Sequence, residues 1–179
     1  MVDGIFYDWA STPIGEHLKW TAPGAMIDVD ADGVVDDAAT IDELWGDGFL
    51  RMATATRELS GATGLVMGNA GWNTGTKFKQ ALNGVMFECF GESDEVDDWG
   101  GNSWAARICT HRQYMQTLPE PRLTFLQGCS TQADFQEMRY GLCSALMFDG
   151  YFAFTDKDEY ASYHSTLWYD EYAVDITTG

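Results

Sequence analysis

The sequence predicts an α/β protein built on a parallel sheet, and two observations carry that expectation. Short apolar runs alternate with stretches of helical spacing several times over, the mark of consecutive βα units. The apolar runs are also nearly continuous, as expected of strands covered on both faces. The chain has 179 residues, 45% of them hydrophobic and 14% aromatic. That is enough for the core of a single domain and excludes a disordered chain.

The elements follow in order. VDGIFYDW at 2–9 is short, rich in Val, Ile, Phe and Tyr, and reads as a buried strand ending in Asp8 and Trp9. A long loop with Pro13 and Pro23 comes next. Residues 37–59 read as a helix capped by Asp36 or Asp37, with Ile41, Leu44, Trp45, Phe49, Met52 and Leu59 at helical spacing. Gly46 and Gly48 weaken its middle, and Gly61 and Gly64 stop it. LVMGNAG at 65–71 is a strand, Thr76–Leu82 a short helix, and GVMFECF at 84–90 a strand. The acidic loop 91–98 leads to a helix over about 103–117, closed by Leu118 and Pro119. RLTFLQG at 122–128 is a strand, about 132–148 a helix capped by Ser130 or Thr131, and GYFAFTD at 150–156 a fifth strand. The tail at 160–179 is rich in Tyr and Trp and reads as irregular.

Two architectures fit this order: a doubly wound sheet, or part of a (β/α)8 barrel. A complete barrel takes about 250 residues. Five strands in 179 residues, beginning directly on a strand, mean that a barrel reading leaves roughly the first three βα units outside this sequence. Such a fragment has two open sheet edges, which predict self-association.

Charge excludes several partners. Asp and Glu number 28 against 10 Lys and Arg, a formal net charge of −18. A surface this acidic repels phosphate backbones and anionic bilayers, so neither nucleic acid nor membrane is expected as a partner. No apolar run reaches the roughly 18–20 residues of a membrane span, and no basic leader precedes the first strand. The four cysteines, at 89, 109, 129 and 143, form no C-x-x-C pair, and their density is too low for a disulfide scaffold. Their places on expected strands and helices point to buried free thiols. Neither G-x-S-x-G nor H-E-x-x-H occurs, and His17, His111 and His164 are scattered.

In βα proteins, functional residues gather at the carboxyl ends of strands. There the sequence places Asp8 and Trp9, then Asn69 with Trp72 just beyond, then Glu88, Gln127 and Asp156. Carboxylates and amides beside flat indoles suit a carbohydrate, whose hydroxyls need hydrogen bonds and whose C–H faces stack on rings. Glycoside hydrolysis needs two carboxyl groups flanking the bond, and Asp8 and Glu88 are the natural pair. The plainer alternatives are a cap or loop acceptor for Asp8 and a buried partner of Arg107 for Glu88. A carboxylate inside MFECF is costly unless satisfied.

A second motif is DVDADGVVDD at 28–37. It matches the opening of a calcium loop, D-x-D-x-D-G-x-x-D. Asp28, Asp30 and Asp32 converge on one cation in such a loop, Gly33 makes the turn, Val34 offers its carbonyl, and Asp36 binds directly or through water. The twelfth position is Ala39, where a bidentate Glu stands in an EF-hand, so the expectation is a differently closed site with Asp37 filling in. The alternative is an acidic loop capping the next helix.

With these residues in view, the chain resembles the C-terminal part of the TIM-barrel glycosyl hydrolases grouped as hypothetical glycosyl hydrolase family 15. The matching pieces, in order along most of the chain, are DGIFYDW at 3–9, DVDADGVVDD at 28–37, VMGNAG at 66–71, NGVMFECF at 83–90, ALMFDGYFAFTD at 145–156 and LWYDEY at 167–172. The resemblance implies one domain or fragment over 1–179, a partial (β/α)8 barrel covering about strands 4 to 8, and action on a glycan. The strand ending in Asp8 is then the fourth and the one ending in Glu88 the sixth. Families similar in layout, the α-galactosidase clan and the endo-polygalactosaminidases, place carboxylates after those two strands. The resemblance therefore implies Asp8 as nucleophile and Glu88 as acid/base of a retaining glycoside hydrolase. Trp9, Asn69, Trp72, Gln127 and Asp156 are its expected sugar contacts. No cofactor is expected for the chemistry, only structural calcium; secretion follows from resemblance alone. Two departures from the family pattern stand out: the first three strands are absent, and the calcium-like loop lacks its twelfth ligand. The rivals are a non-catalytic carbohydrate-binding barrel and a metal-dependent hydrolase using the acidic loop.

Overall fold

The computed structural model describes residues 3–10, 14–71, 76–91, 103–156 and 167–175. Its strands are β1 (Gly4–Tyr7), β2 (Leu65–Asn69), β3 (Gly84–Phe87), β4 (Leu123–Ser130) and β5 (Tyr151–Asp156). Its α-helices are α1 (Gly15–Thr21), α2 (Ala38–Ser60), α3 (Thr76–Ala81), α4 (Trp104–Thr117) and α5 (Phe135–Leu146). The five strands form one sheet, all parallel, in the order β1-β2-β3-β4-β5. Each crossover advances to the next position in the same direction. A doubly wound sheet instead reverses at a switch point, and none occurs among the described strands.

Right-handed crossovers that always advance one way lay their helices on one face. Val66, Val85, Phe87 and Leu126 point to that face and pack with Phe49, Phe78, Leu82, Ile108 and Tyr114 from the helices and their ends. The register puts Phe6, Met67, Met86, Phe125 and Tyr151 on the opposite face. There Phe6 is 48% and Tyr151 62% exposed. The expectation of two covered faces is therefore corrected: both faces of the strands are apolar, but helices cover one of them.

Local chemistry sets the element ends. Asp37 caps α2 by accepting from the Thr40 amide at 2.8 Å. The buried stripe of α2 is Ile41, Phe49 and Ala53, while Leu59 is 91% exposed. Gly46 is buried in mid-helix, where α2 faces the Lys77 side chain of α3. Asp134, not Ser130 or Thr131, caps α5 through the Glu137 amide. β3 stops at Phe87, three residues early, because Cys89 adopts φ +46° and Gly91 φ +100°. The loop expected at 10–36 contains α1, and the tail contains a 3-10 turn at Asp170–Ala173. No described helix is long and apolar enough to cross a membrane.

Two buried polar residues tie the layers together. Asn83 accepts from the Val66 amide at 2.7 Å and donates to the Gly64 carbonyl at 3.0 Å, so it satisfies backbone groups where β2 begins. His111 on α4 is fully buried, with Nδ1 2.9 Å from Thr124 Oγ1 and Nε2 3.3 Å from the Ala145 carbonyl. Burial lowers its pKa below the usual 6.5, only partly offset by the bond to Ala145. The folded protein thus binds a proton at His111 less readily than the unfolded chain does. Stability is complete above the unfolded pKa and declines as pH falls below about 6.5 toward the folded value. Urea titrations from pH 7.5 to 5 are expected to show this decline, and His111→Gln to lose that component of it.

Candidate active site

Parallel strands bring their carboxyl ends to one edge, and side chains two residues apart share a face. The register pairs Tyr7 with Gly68, so Asp8 stands one step on, level with Asn69. Asn69 is level with Met86, two residues before Glu88. β2 therefore carries Asn69 up between the ends of β1 and β3. Its side-chain nitrogen Nδ2 donates to Asp8 Oδ1 at 3.0 Å and to Glu88 Oε2 at 2.8 Å. Since both oxygens touch one nitrogen, they lie no more than the sum of those contacts, 5.8 Å, apart. Only the NH2 group can serve two carboxylates, so the network also fixes the amide orientation. Arg107, the alternative partner of Glu88, instead donates to the Cys89 carbonyl at 2.9 Å.

The other expected residues divide. Asp8 Oδ1 also accepts from the Trp9 amide at 2.9 Å, and Trp9 holds φ +51° with its ring 4.5 Å from that of His17. Its indole is half-exposed beside Asp8. Gln127, next to the end of β3, donates to Thr155 Oγ1 at 2.7 Å. Asn69 Oδ1 and Gln127 Oε1 are buried and lack a hydrogen-bond partner among the described residues. Asp156 pairs in register with Ser130, one residue past Thr155, and its charge acts on the Tyr169 phenol. The structure thus brings Asp8, Trp9, Asn69, Glu88 and Gln127 to one edge; Thr155 joins them through Gln127, and Asp156 stands one step on, level with Ser130. Trp72 lies outside the described residues.

The turn after Glu88 carries features that the sequence did not reveal. Cys89 is joined to Cys129 by a disulfide, tying this turn to the end of β4. The expectation of buried free thiols is corrected on both counts, since the free Cys109 and Cys143 are exposed. The Phe90 amide donates to the Gln127 carbonyl at 2.7 Å, a second clasp between the same segments. Glu137, in the first turn of α5, points at Gly91, where any Cβ would collide with its carboxyl oxygen. Burial raises the Glu137 pKa, Asp134 adds to the rise, and Arg107 opposes it.

In the acidic loop, one carboxylate oxygen from each of Asp28, Asp30 and Asp36 lies within 4.8 Å of the others. Asp28 accepts from the Gly33 amide at 2.9 Å and Asp36 from the Val29 amide at 2.7 Å. Asp32 turns to the amide of the exposed Val34 at 2.7 Å and stays outside that group. Asp37 is occupied as the α2 cap. The Asp32 amide holds the Asp30 carboxyl down, but desolvation and the charges of Asp32, Asp36 and Asp28 outweigh it and raise its pKa.

The disulfide closes a loop between residues 40 apart, next to the candidate acid. Replacing both Cys89 and Cys129 by Ser is expected to cost about 2–5 kcal/mol of unfolding free energy, read from urea melts.

Among curated proteins, none matches the chain. A family model described as hypothetical glycosyl hydrolase family 15 matches residues 1–177, essentially the whole chain. The chain that holds this Asp8, Asn69 and Glu88 cluster at the ends of consecutive parallel strands belongs to hypothetical glycosyl hydrolase family 15.

Proposed function

We propose that the chain is a glycoside hydrolase domain in which Asp8 and Glu88 act as a retaining carboxylate pair. The observation that carries this reading is the single Asn69 nitrogen bonded to both groups. Retaining enzymes hold their carboxyls about 5–5.5 Å apart, whereas inverting ones need about 6.5–9.5 Å to admit a water. The bound of 5.8 Å on the bonded oxygens favours the first. Asp8 attacks the anomeric carbon and the glycosidic C–O bond breaks. Glu88 gives its proton to the departing oxygen, then takes one from the water that cleaves the glycosyl–Asp8 ester. The Trp9 face stacks against the sugar, and Asn69 and Gln127 shape the site around it.

The same reading makes the sheet strands 4 to 8 of a (β/α)8 barrel. Its one-directional strand order, one-sided helices and apolar opposite face support this. The open edges at β1 and β5 are where closure or self-association takes place. The disulfide suits the oxidising setting of a secreted protein.

The test is turnover on a panel of neutral polysaccharides and aryl glycosides. Asp8→Asn and Glu88→Gln are each expected to lower the rate by about a thousandfold or more with the fold intact. Near-normal turnover in either variant contradicts the pair. Glycan binding without turnover, unchanged by Glu88→Gln, favours a non-catalytic binding barrel. Activity lost to chelation without unfolding favours a metal-dependent hydrolase.

Calcium in the acidic loop is a separate proposal, supported by the convergence of Asp28, Asp30 and Asp36 on the sequence motif. Millimolar calcium is expected to raise the melting temperature over that in chelator, and Asp30→Asn to abolish the rise. Equal melting temperatures in calcium and chelator contradict it.

A further inference from the structure

A second aromatic site lies on the helix-covered side of the sheet, at the start of α5. α5 starts just after β4 ends, and the 3-10 turn at 170–173 packs against its first turns. The Tyr169 hydroxyl donates to the Gln132 carbonyl at 3.1 Å, which anchors this turn to the loop leaving β4. Between them is a groove of about 500 Å3 lined by Phe135, Arg139, Trp168, Asp170 and Glu171, among others. Small-molecule sites occupy about 300–1,000 Å3.

Trp168 is 71% exposed, yet it is firmly mounted. Its ring meets Tyr172 edge-on at 5.6 Å, Tyr172 meets Tyr169 at 5.6 Å, and Tyr169 meets Phe154 of β5 at 5.8 Å. This ladder of rings runs from the buried sheet to the open indole. The exposed indole held in this way offers a flat apolar face on which a ligand can stack. Beside it, Arg139 bridges to Glu171 at 2.6 Å with its side chain 61% exposed, and Asp170 is exposed. A carboxylate and a guanidinium at the edge of an aromatic face are the groups that receive a sugar ring: stacking for its C–H face, hydrogen bonds for its hydroxyls. Phosphate-bearing and other anionic ligands are disfavoured by Asp170 and by the net charge of −18.

We propose that this groove is an accessory subsite for a neutral oligosaccharide, with a sugar ring stacked on Trp168 and its hydroxyls bonded to Asp170 and Arg139. The proposal rests on the glycan reading of the site at Asp8 and Glu88, and places the subsite beside α5, on the helix-covered side of the sheet.

The test uses full-length protein, neutral hexasaccharides of glucose, galactose and mannose as probes, and indole N–H signals in 1H–15N NMR. The Trp168 signal is identified by its loss in Trp168→Phe. Addition of a hexasaccharide is expected to shift it, in wild type and in Glu88→Gln alike. Trp168→Ala is expected to weaken binding at least tenfold while leaving hydrolysis of a short aryl glycoside unchanged. If a hexasaccharide shifts Trp9 and needs Asn69 but leaves Trp168 unmoved, the subsite is wrong and the glycosidase reading stands. If Trp168 shifts but wild type turns nothing over, the subsite stands and the glycosidase reading falls. Shifts at no indole overturn both.

Discussion

One nitrogen atom organises the candidate site. Asn69 Nδ2 donates to carboxylates from the strands on either side of its own. The shared donor fixes both side chains, because neither can turn away without losing a hydrogen bond. The arrangement exists because β2 lies between β1 and β3 in the sheet as it does in the sequence. An order with a switch point would separate Asp8 from Glu88 and leave Asn69 with one partner. Topology and chemistry are therefore the same constraint here.

The single direction of winding has a second consequence. It confines the core to one side of the sheet, where Phe78, Leu82, Tyr114 and Leu126 are buried almost completely. The other side has the apolar middle and polar rim that the interior of a closed barrel would carry, with Phe6, Met67, Met86 and Phe125 below Asp8, Asn69, Glu88 and Gln127. The rim is reinforced where β3 and β4 end. The Cys89–Cys129 disulfide and the Phe90–Gln127 bond join consecutive strand ends directly beside Glu88. A carboxylate that must hold its position within a fraction of an ångström gains from such support.

Much of this was legible from residue patterns. The five strands announce themselves as apolar runs, and the strand ends name Asp8, Asn69 and Glu88 before any geometry is known. What the pattern does not carry is pairing. Cys89 and Cys129 become neighbours only because β3 and β4 align and because Cys89 takes a left-handed conformation that shortens its strand. Likewise, Asp156 looks like the polar end of β5, but the register sets Thr155 beside Gln127. In the acidic loop, Asp36 and Asp37 read alike in sequence; the helix start takes Asp37 as its cap and leaves Asp36 with the other carboxylates. The Trp168 groove was hidden because a tail without periodicity reads as irregular, though its rings are locked to β5 through Tyr169.

The central claim is that Asp8 and Glu88 stand close enough for one to attack the sugar directly. The anomeric configuration of the first-formed product, followed by 1H NMR before mutarotation, tests it most directly. The account expects the product to keep the configuration of the cleaved bond. An inverted product would place a water between the carboxylates and contradict the geometry that Asn69 imposes.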